Sequence, residues 1–118
     1  MKFMLLLHAR SEEDSKTPAY ASFDEEMAAH QSFSDLIQSK SAMVSSEALE
    51  EAPTARTLRP GANGEIVVTD GPFAEVKEQI GGFYVIEAEN LDAAVEFARS
   101  CPLYGGIEVR PVMDFSQM

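Results

Sequence analysis

The sequence is poor in cysteine, in long apolar runs and in basic residues, and each shortage excludes a class of protein. Its 118 residues include one cysteine, Cys101, so no disulfide can form within the chain. We therefore expect a reducing, cytoplasmic setting. The longest apolar run covers residues 3–7, far short of the roughly 18 residues of a membrane-spanning helix. A disulfide scaffold and a membrane span are both excluded by these shortages.

Acidic residues strongly outnumber basic ones. The chain has 20 Asp and Glu against 9 Lys and Arg, a formal net charge of −11. Residues 12–51 alone hold ten acidic and two basic residues. Because phosphate and anionic lipid surfaces are bound through clustered cations, we expect no nucleic-acid partner and no membrane partner. A solvated acidic face is the simplest interpretation of the excess.

The hydrophobic pattern predicts one α+β domain over residues 1–118. This length is typical of a single domain. Apolar periodicity predicts strands at 2–8, 42–49, 83–88 and 107–113, a hairpin at 54–69 turning at Asn63-Gly64, and helices at 22–40 and 91–100. Ser22 and Asn90 are the predicted caps of these helices. The order, βαβ, hairpin, βαβ, predicts a ferredoxin-like sandwich with its helices on one side.

The first predicted strand is apolar on both faces. Phe3, Leu5 and Leu7 alternate with Met4 and Leu6. Helices on one side of the sheet would cover only one of these faces and leave a large apolar patch on the other. A two-fold pairing of two such sheets buries that patch, so we expect a homodimer.

One long motif carries a family resemblance. The run DGPFAEVKEQIGGFY, from Asp70 to Tyr84, resembles the signature of the DGPF-type branch of the YCII-related (YciI-like) proteins. Shorter similar pieces lie at 4–7, 47–49, 101–102 and 108–113, so the resemblance covers the whole chain. It implies a dimeric α+β barrel made of ferredoxin-like protomers. Most such proteins have no established reaction, some relatives act on small aromatic-ring degradation products, and some members resemble companions of alternative sigma factors.

The resemblance also implies a catalytic pair. YciI-like relatives carry a His on the first helix and an Asp near the end of the second helix, proposed as an acid/base pair. His30 falls at the position of that His, whereas the relatives' Asp-Pro is Cys101-Pro102 here. Only half of the pair therefore carries over. We interpret Cys101 as a packing residue at the end of a helix rather than as a nucleophile.

His30 and Asp70 are the candidate acid/base residues. The predicted apolar stripe of the first helix consists of Phe23, Met27, His30, Phe33 and Ile37. A histidine in such a stripe is either a hydrogen-bonded core residue or a proton-transfer group. Asp70 ends a strand and begins the Asp-Gly-Pro turn. It is either a base or ligand-binding acceptor, or the residue that shapes the turn around Gly71.

Five further residues are candidate substrate-binding groups, namely Glu47, Phe73, Glu75, Lys77 and Arg110. Lys77 and Arg110 suit an anionic substrate group, and Phe73 suits a pocket wall. Each also has a structural interpretation: Phe73 as packing, the charges at 75–78 as a solvated face, and Arg110, with Glu108 on the same face of its strand, as part of a cross-strand or intersubunit ion pair. No metal site or cofactor is expected, because zinc-ligand spacing, nucleotide-binding loops and a nucleophile elbow are missing from the sequence.

These residues favour a cofactor-free small-molecule enzyme that uses acid/base chemistry. It would be an isomerase, lyase or dehydrohalogenase-like enzyme acting on an anionic or aromatic metabolite, with Lys77 or Arg110 binding the anion. That form of the hypothesis requires His30, Asp70, Lys77 and Arg110 to converge. A dimeric ligand-binding or regulatory module without catalysis is the alternative. A third interpretation makes the DGPF signature a structural loop that locks the dimer.

Overall fold

The computed structural model describes residues 1–8, 20–72 and 80–117. Within these ranges the order is β1 (Lys2–His8), α1 (Phe23–Ser39), β2 (Met43–Ala48), β3 (Arg56–Pro60), β4 (Ile66–Asp70), β5 (Ile80–Glu87), α2 (Leu91–Ala98) and β6 (Gly106–Pro111). The predicted βαβ, hairpin, βαβ order is confirmed. Neither helix is long and apolar enough to cross a membrane.

Four strands form one antiparallel sheet in the order β2-β5-β1-β6, and β3 and β4 form a separate two-stranded sheet. β1 lies in the middle of the larger sheet, with Leu5 opposite Tyr84 of β5 and Val109 of β6. This is the strand order of a ferredoxin-like α+β fold with a hairpin inserted between its second and third strands. The predicted fold class is therefore confirmed.

The two faces of the larger sheet differ in what covers them. Phe3, Leu5 and Leu7 are buried in one cluster with Phe33 and Ile37 of α1. We call this side the covered face. Because neighbouring residues of a strand point to opposite sides, Met4, Leu6 and His8 lie on the other side, the open face, and they are only half-buried. The predicted two-sided apolar character of β1 is confirmed.

Two cross-strand rows define the open face. Residues directly opposite each other in register share a face of the sheet. The rows are Glu47–Phe83–Leu6–Glu108 and Ser45–Val85–Met4–Arg110. Apolar side chains therefore occupy the middle of the open face, and polar or charged side chains occupy its two edges.

Side chains cap both helices where the sequence predicts caps. Ser22 Oγ accepts a hydrogen bond from the Glu25 amide at 3.1 Å, and Asn90 Oδ1 accepts one from the Ala93 amide at 2.8 Å. The reciprocal half of the predicted capping box is displaced, since the Glu25 carboxylate accepts from the Ala21 amide at 3.0 Å. The caps satisfy amides that the first helical turn leaves without backbone partners.

The predicted apolar stripe of α1 is only half correct. Phe33 and Ile37 are buried in the core, but Phe23 is 71% exposed and Met27 is 44% exposed. His30 lies between the two halves and is half-buried. Helical spacing puts all five residues on one side, but only the second half of that side packs against the sheet within the described structure.

The hairpin turn differs from the prediction. Asn63-Gly64 is not a two-residue primed turn, because residues 61–65 separate the strands and only Gly64 has a positive φ, +85°. The Gly64 amide donates to the Gly61 carbonyl at 3.2 Å, and the Gly61 amide donates to the Glu65 carbonyl at 2.6 Å. The loop is therefore a turn from residue 61 to residue 64 that ends in a left-handed glycine, as in longer hairpin loops.

Candidate functional site

His30 is hydrogen-bonded at both ring nitrogens. Its Nδ1 lies 2.8 Å from the Tyr84 hydroxyl and its Nε2 lies 2.9 Å from the Tyr104 hydroxyl. Helix α1 supplies His30, the centre of β5 supplies Tyr84, and the connection between α2 and β6 supplies Tyr104. The imidazole is thus held at the covered face between the sheet and the loop that precedes β6.

A carboxylate extends this arrangement. The Tyr104 hydroxyl donates to Glu26 Oε1 at 2.5 Å. Glu26 lies four residues before His30 on α1, which places both side chains on the same side of the helix. We call Tyr84, His30, Tyr104 and Glu26 the His30 network. It is a continuous row of hydrogen bonds that ends in an acidic group.

Aromatic rings lie beside His30 and pack against its two tyrosine partners. The imidazole is within 18° of parallel to the Tyr84 ring and within 20° of parallel to the Tyr104 ring, at centroid distances of 6.2 and 6.0 Å. Phe33 meets Tyr84 edge-on at 4.8 Å, and Tyr20 meets Tyr104 edge-on at 5.9 Å. These contacts fix the orientation of the two phenols that bind the imidazole.

The surroundings of His30, Tyr84 and Tyr104 favour the uncharged form of each side chain. Burial lowers the pKa of His30 below its ordinary value of 6.5, although the nearby Glu26 charge acts in the opposite direction. Burial raises the pKa of Tyr84. Burial, together with Glu26, raises the pKa of Tyr104 further. Near neutral pH the site therefore holds two protonated phenols and a neutral imidazole, the form that can act as a base.

Cys101 borders this site and is chemically inert. It is buried in the core cluster, and burial raises the pKa of its thiol to about 12. A thiol that stays protonated is a poor nucleophile. It shares the buried cluster with Tyr84 and Phe33, which places it beside the His30 network. The structure agrees with the interpretation of Cys101 as a packing residue.

Asp70 lies in the hairpin, and its described contacts are local. Its carboxylate pairs with Arg56 Nε at 3.1 Å, and its side chain is 89% exposed. The turn beyond it is built by Gly71, which has a φ of +89°. The Gly71 amide donates to Ala55, and its carbonyl accepts from the buried Thr57 hydroxyl at 2.6 Å. The described hydrogen bonds of His30 go to Tyr84 and Tyr104, so the structure does not join His30 and Asp70 in one pair.

The other predicted site residues are not gathered around His30 either. Glu47 and Arg110 lie in the rows of the open face, whereas Tyr84 and His30 lie on the covered face. Arg110 pairs with Glu108 of its own strand at 3.6 Å rather than across strands. Phe73, Glu75 and Lys77 lie outside the described residues. Of the predicted convergence of His30, Asp70, Lys77 and Arg110, the described part of one chain therefore brings neither Asp70 nor Arg110 to His30.

Three residues of the network were missing from the sequence prediction. Glu26 had a usable signal, since it precedes His30 by one helical turn. Tyr84 is the single residue with a polar tip in the apolar run 83–86, and it shares the buried side of β5 with Gly82 and Ile86. Tyr104 lies in a loop, and the sequence gives no signal that brings it to His30.

The network contains one imidazole and one carboxylate as potential metal ligands. Over the described part of the chain, no three His, Cys, Asp or Glu side chains are grouped so that they could hold a metal ion. The remaining groups at the site are phenols. The arrangement suits the binding of a small molecule and the transfer of protons to or from it.

Two similar proteins place this chain among known ones. An uncharacterised protein from Rhizobium meliloti is 53% identical over 62 residues, which are 49% of this chain and 49% of that protein. The match thus spans about half of the length of this curated relative. A solved structure, 5-chloro-2-hydroxyhydroquinone dehydrochlorinase from Burkholderia phenoliruptrix in complex with 2,5-dihydroxybenzoquinone, has a TM-score of 0.53 over 99% of this chain and 98% of that chain. The two sequences are 19% identical, so the likeness concerns the fold.

The family prediction made from the signature is confirmed by a match along nearly the whole chain. The model of the YCII-related domain covers residues 1–116, which include the hairpin, both helices and all four strands of the larger sheet. The chain therefore belongs to the YCII-related domain family.

Proposed function

We propose that this chain is a cofactor-free enzyme that moves protons on a small anionic or aromatic metabolite, with His30 as its acid/base group. The single observation that carries the proposal is the His30 network, in which two phenols and a carboxylate hold one half-buried imidazole. A histidine that serves only to fill a core does not need a carboxylate at the end of its hydrogen bonds.

The chemistry of the network supports a base. Burial lowers the pKa of His30, so the imidazole is neutral and able to accept a proton near pH 7. The Glu26 carboxylate favours the protonated ring electrostatically, so it stabilises the imidazolium that forms after proton transfer. A group with these two properties can take up a proton and return it within one turnover.

The substrate class is supported by the surroundings of the imidazole. Four aromatic rings, those of Tyr20, Phe33, Tyr84 and Tyr104, line or support the site. The dehydrochlorinase of the same fold was solved with a hydroxylated quinone. We infer a hydroxylated ring as the substrate of this chain and a dehydrohalogenase-like elimination, or a related isomerase or lyase reaction, as its chemistry.

The remaining predicted groups keep their proposed roles. Asp70 is the second acid/base candidate and Lys77 or Arg110 the candidate anion-binding group, although the described part of one chain brings neither Asp70 nor Arg110 to His30. Phe73, Glu75 and Glu47 would complete the substrate contacts. We also propose that the chain belongs to the DGPF-type branch, that residues 1–118 form a single domain and that the protein is cytoplasmic.

A homodimer is part of the proposal. The open face has an apolar middle, with Met4, Leu6, Phe83 and Val85, and polar or charged edges. This is the anatomy of a protein interface, an apolar centre within a polar rim. A second copy seated on this face buries the apolar centre.

We expect Leu6→Glu to convert the dimer into a folded monomer in sedimentation experiments, with Glu108→Gln as a control at the edge of the same row.

A dimeric ligand-binding module is the second candidate, and one observation favours it. Both nitrogens of His30 are already occupied by tyrosine hydroxyls. Such a saturated imidazole can also serve as a rigid part of a binding site that performs no chemistry. The two candidates differ in one respect: only an enzyme changes the bound molecule.

Chloride release from 5-chloro-2-hydroxyhydroquinone and hydrogen–deuterium exchange at the ring carbons of related hydroxylated rings test the proposal. The variants are His30→Gln and Asp70→Asn, with His8→Gln as the matched control because His8 is the other of the two histidines. We expect catalysis by the wild type, a loss of about 10²- to 10⁴-fold in His30→Gln, and normal rates in His8→Gln. Turnover that survives His30→Gln would refute the role of His30, and binding without turnover across the panel would favour the second candidate.

A further inference from the structure

The direction of each hydrogen bond in the His30 network follows from counting protons. A carboxylate only accepts, a phenol has one proton to donate, and a neutral imidazole carries its proton on one of two nitrogens. The Tyr104 hydroxyl donates its proton to Glu26 Oε1. The Tyr104 oxygen, 2.9 Å from His30 Nε2, is then left only as an acceptor.

We propose that Glu26, acting through Tyr104, holds neutral His30 in the tautomer that carries its proton on Nε2. In this tautomer Nδ1 is the basic nitrogen, and it accepts the hydroxyl proton of Tyr84 at 2.8 Å. All the hydrogen bonds then run in one direction, from Tyr84 to Glu26. Glu26 and Tyr104 are positioning residues, because they act on the reaction through His30.

The other tautomer leaves a bond unmade. With the proton on Nδ1, the Nε2 lone pair would face the Tyr104 oxygen, whose only proton is already used by Glu26. Tyr104 would have to abandon the carboxylate to restore the contact. A hydrogen bond to a charged acceptor is roughly twice as strong as one between neutral groups, so the Nε2–H tautomer has the lower free energy.

The position of Glu26 on α1 makes it the one acidic residue of its turn that serves the network. Asp24, Glu25 and Glu26 all lie in the first turn of the helix, where the positive end of the helix dipole favours carboxylates. Asp24 and Glu25 are exposed, and Glu25 is used by the cap. Glu26 is half-buried and faces Tyr104.

The catalytic use of this arrangement rests on the proposed function, whereas the tautomer does not. In the proposed reaction the substrate passes a proton to the Tyr84 oxygen while the Tyr84 hydroxyl proton moves to Nδ1. The substrate keeps the electron pair of its broken bond to hydrogen, Tyr84 stays neutral and His30 becomes an imidazolium. Its Nε2–H remains bonded to Tyr104, and the Glu26 charge offsets the new positive charge. In hydrolase triads a buried acid sets the tautomer of the catalytic histidine by a direct hydrogen bond, whereas here the Tyr104 hydroxyl lies between the acid and the ring.

Nitrogen NMR of the histidine side chains tests the tautomer directly. The chain has only two histidines, His8 and His30, so ¹⁵N-histidine labelling gives two ring systems, and His8→Gln assigns them. At a pH where His30 is neutral we expect an Nε2–H to Nδ1–H ratio of at least about 10, the ratio produced by 1.4 kcal/mol. The signature is an unprotonated Nδ1 resonance and a protonated Nε2 resonance.

Two variants and one control complete the test. Tyr104→Phe and Glu26→Gln should shift both ring resonances towards a mixture of tautomers. Asp24→Asn, which removes a charge from the same helical turn, should leave them unchanged. A wild-type ring protonated on Nδ1, or variants that keep the wild-type ratio, would overturn the inference, and the wild-type spectrum decides even where a variant fails to fold.

The same spectra separate this inference from the proposed function. The expected tautomer in a protein that turns over no substrate would leave the inference intact and remove the catalytic role. Turnover that depends on His30 in a protein with the opposite tautomer would overturn the inference and leave the proposed function intact.

Discussion

The covered and open faces of one sheet place neighbouring residues in different environments. On β1, Leu5 is fully buried beneath the helices, and the adjacent Leu6 is half-buried on the side away from them. On β5, Tyr84 reaches His30, and the adjacent Phe83 belongs to the row between Glu47 and Leu6. Residues from several strands can therefore belong to one site of a single chain only where they lie on the same face of the sheet.

The largest effect is expected from shortening a core side chain on the covered face. Leu5→Ala should lower the free energy of unfolding by about 2–5 kcal/mol, because it removes buried methyl groups and leaves a cavity. Leu6→Ala should cost less in the isolated protomer, and its cost should depend on protein concentration if a second copy covers the open face. Urea unfolding at two protein concentrations measures both, and a larger, concentration-independent loss in Leu6→Ala would contradict the assignment of the faces.

Removing the Tyr84 hydroxyl should have the next largest effect. Tyr84→Phe keeps the edge-on contact with Phe33 but leaves His30 Nδ1 without its partner. An unsatisfied buried polar group costs about 1–3 kcal/mol. Tyr20→Phe, which keeps its ring contact with Tyr104, is the control, and it should change stability by less than about 0.5 kcal/mol. Equal losses in the two variants would show that the hydroxyl of Tyr84 has no special role.

A smaller effect on the free energy of unfolding is expected from lowering the pH. Burial, opposed by Glu26, lowers the pKa of His30 in the folded protein below 6.5, and the groups bonded to the ring, Tyr84 and Tyr104, stay protonated. As the pH falls through 6.5 the unfolded chain binds a proton that the folded chain resists, so stability falls. Above pH 6.5 His30 is neutral in both the folded and the unfolded chain, so its contribution to stability is then fully present. Comparing wild type with His30→Gln isolates it, and an unchanged pH dependence in the variant would contradict the lowered pKa.

The smallest effect is expected at the edge of the open face. Arg110 and Glu108 are 3.6 Å apart, with side chains that are 70% and 50% exposed. Exposed ion pairs contribute little, so Arg110→Ala should change the free energy of unfolding of the protomer by no more than about 0.5 kcal/mol. Thermal or urea unfolding measures the change. A loss above about 1 kcal/mol would mean that a partner surface buries this edge.

Most of the fold was predictable because local signals determine it. Alternating apolar residues predicted the strands, Ser22 and Asn90 predicted where the helices begin, and the order of elements predicted the sheet. The prediction was wrong where packing or turn geometry decides, at the exposed start of the α1 stripe and at the loop around Gly64. Neither outcome can be read from residue types alone.

The candidate site was only partly predictable. His30 was identified from its residue type and its place on a helix. Glu26 could have been identified too, because it lies one helical turn before His30. Tyr84 and Tyr104 lie 54 and 74 positions from His30 in the sequence, so their approach depends on strand register and on the path of a loop. Asp70 was predicted from the signature motif, but the described contacts of Asp70 and Gly71 lie within the hairpin.

If the ligand site lies at His30 on the covered face, binding of a hydroxylated quinone must depend on that residue. The most direct measurement is a calorimetric titration of wild type, His30→Gln and His8→Gln with 2,5-dihydroxybenzoquinone. We predict binding by the wild type and by His8→Gln, and at least about tenfold weaker binding by His30→Gln, a difference of 1.4 kcal/mol. Equal affinity in all three proteins would contradict a site at His30.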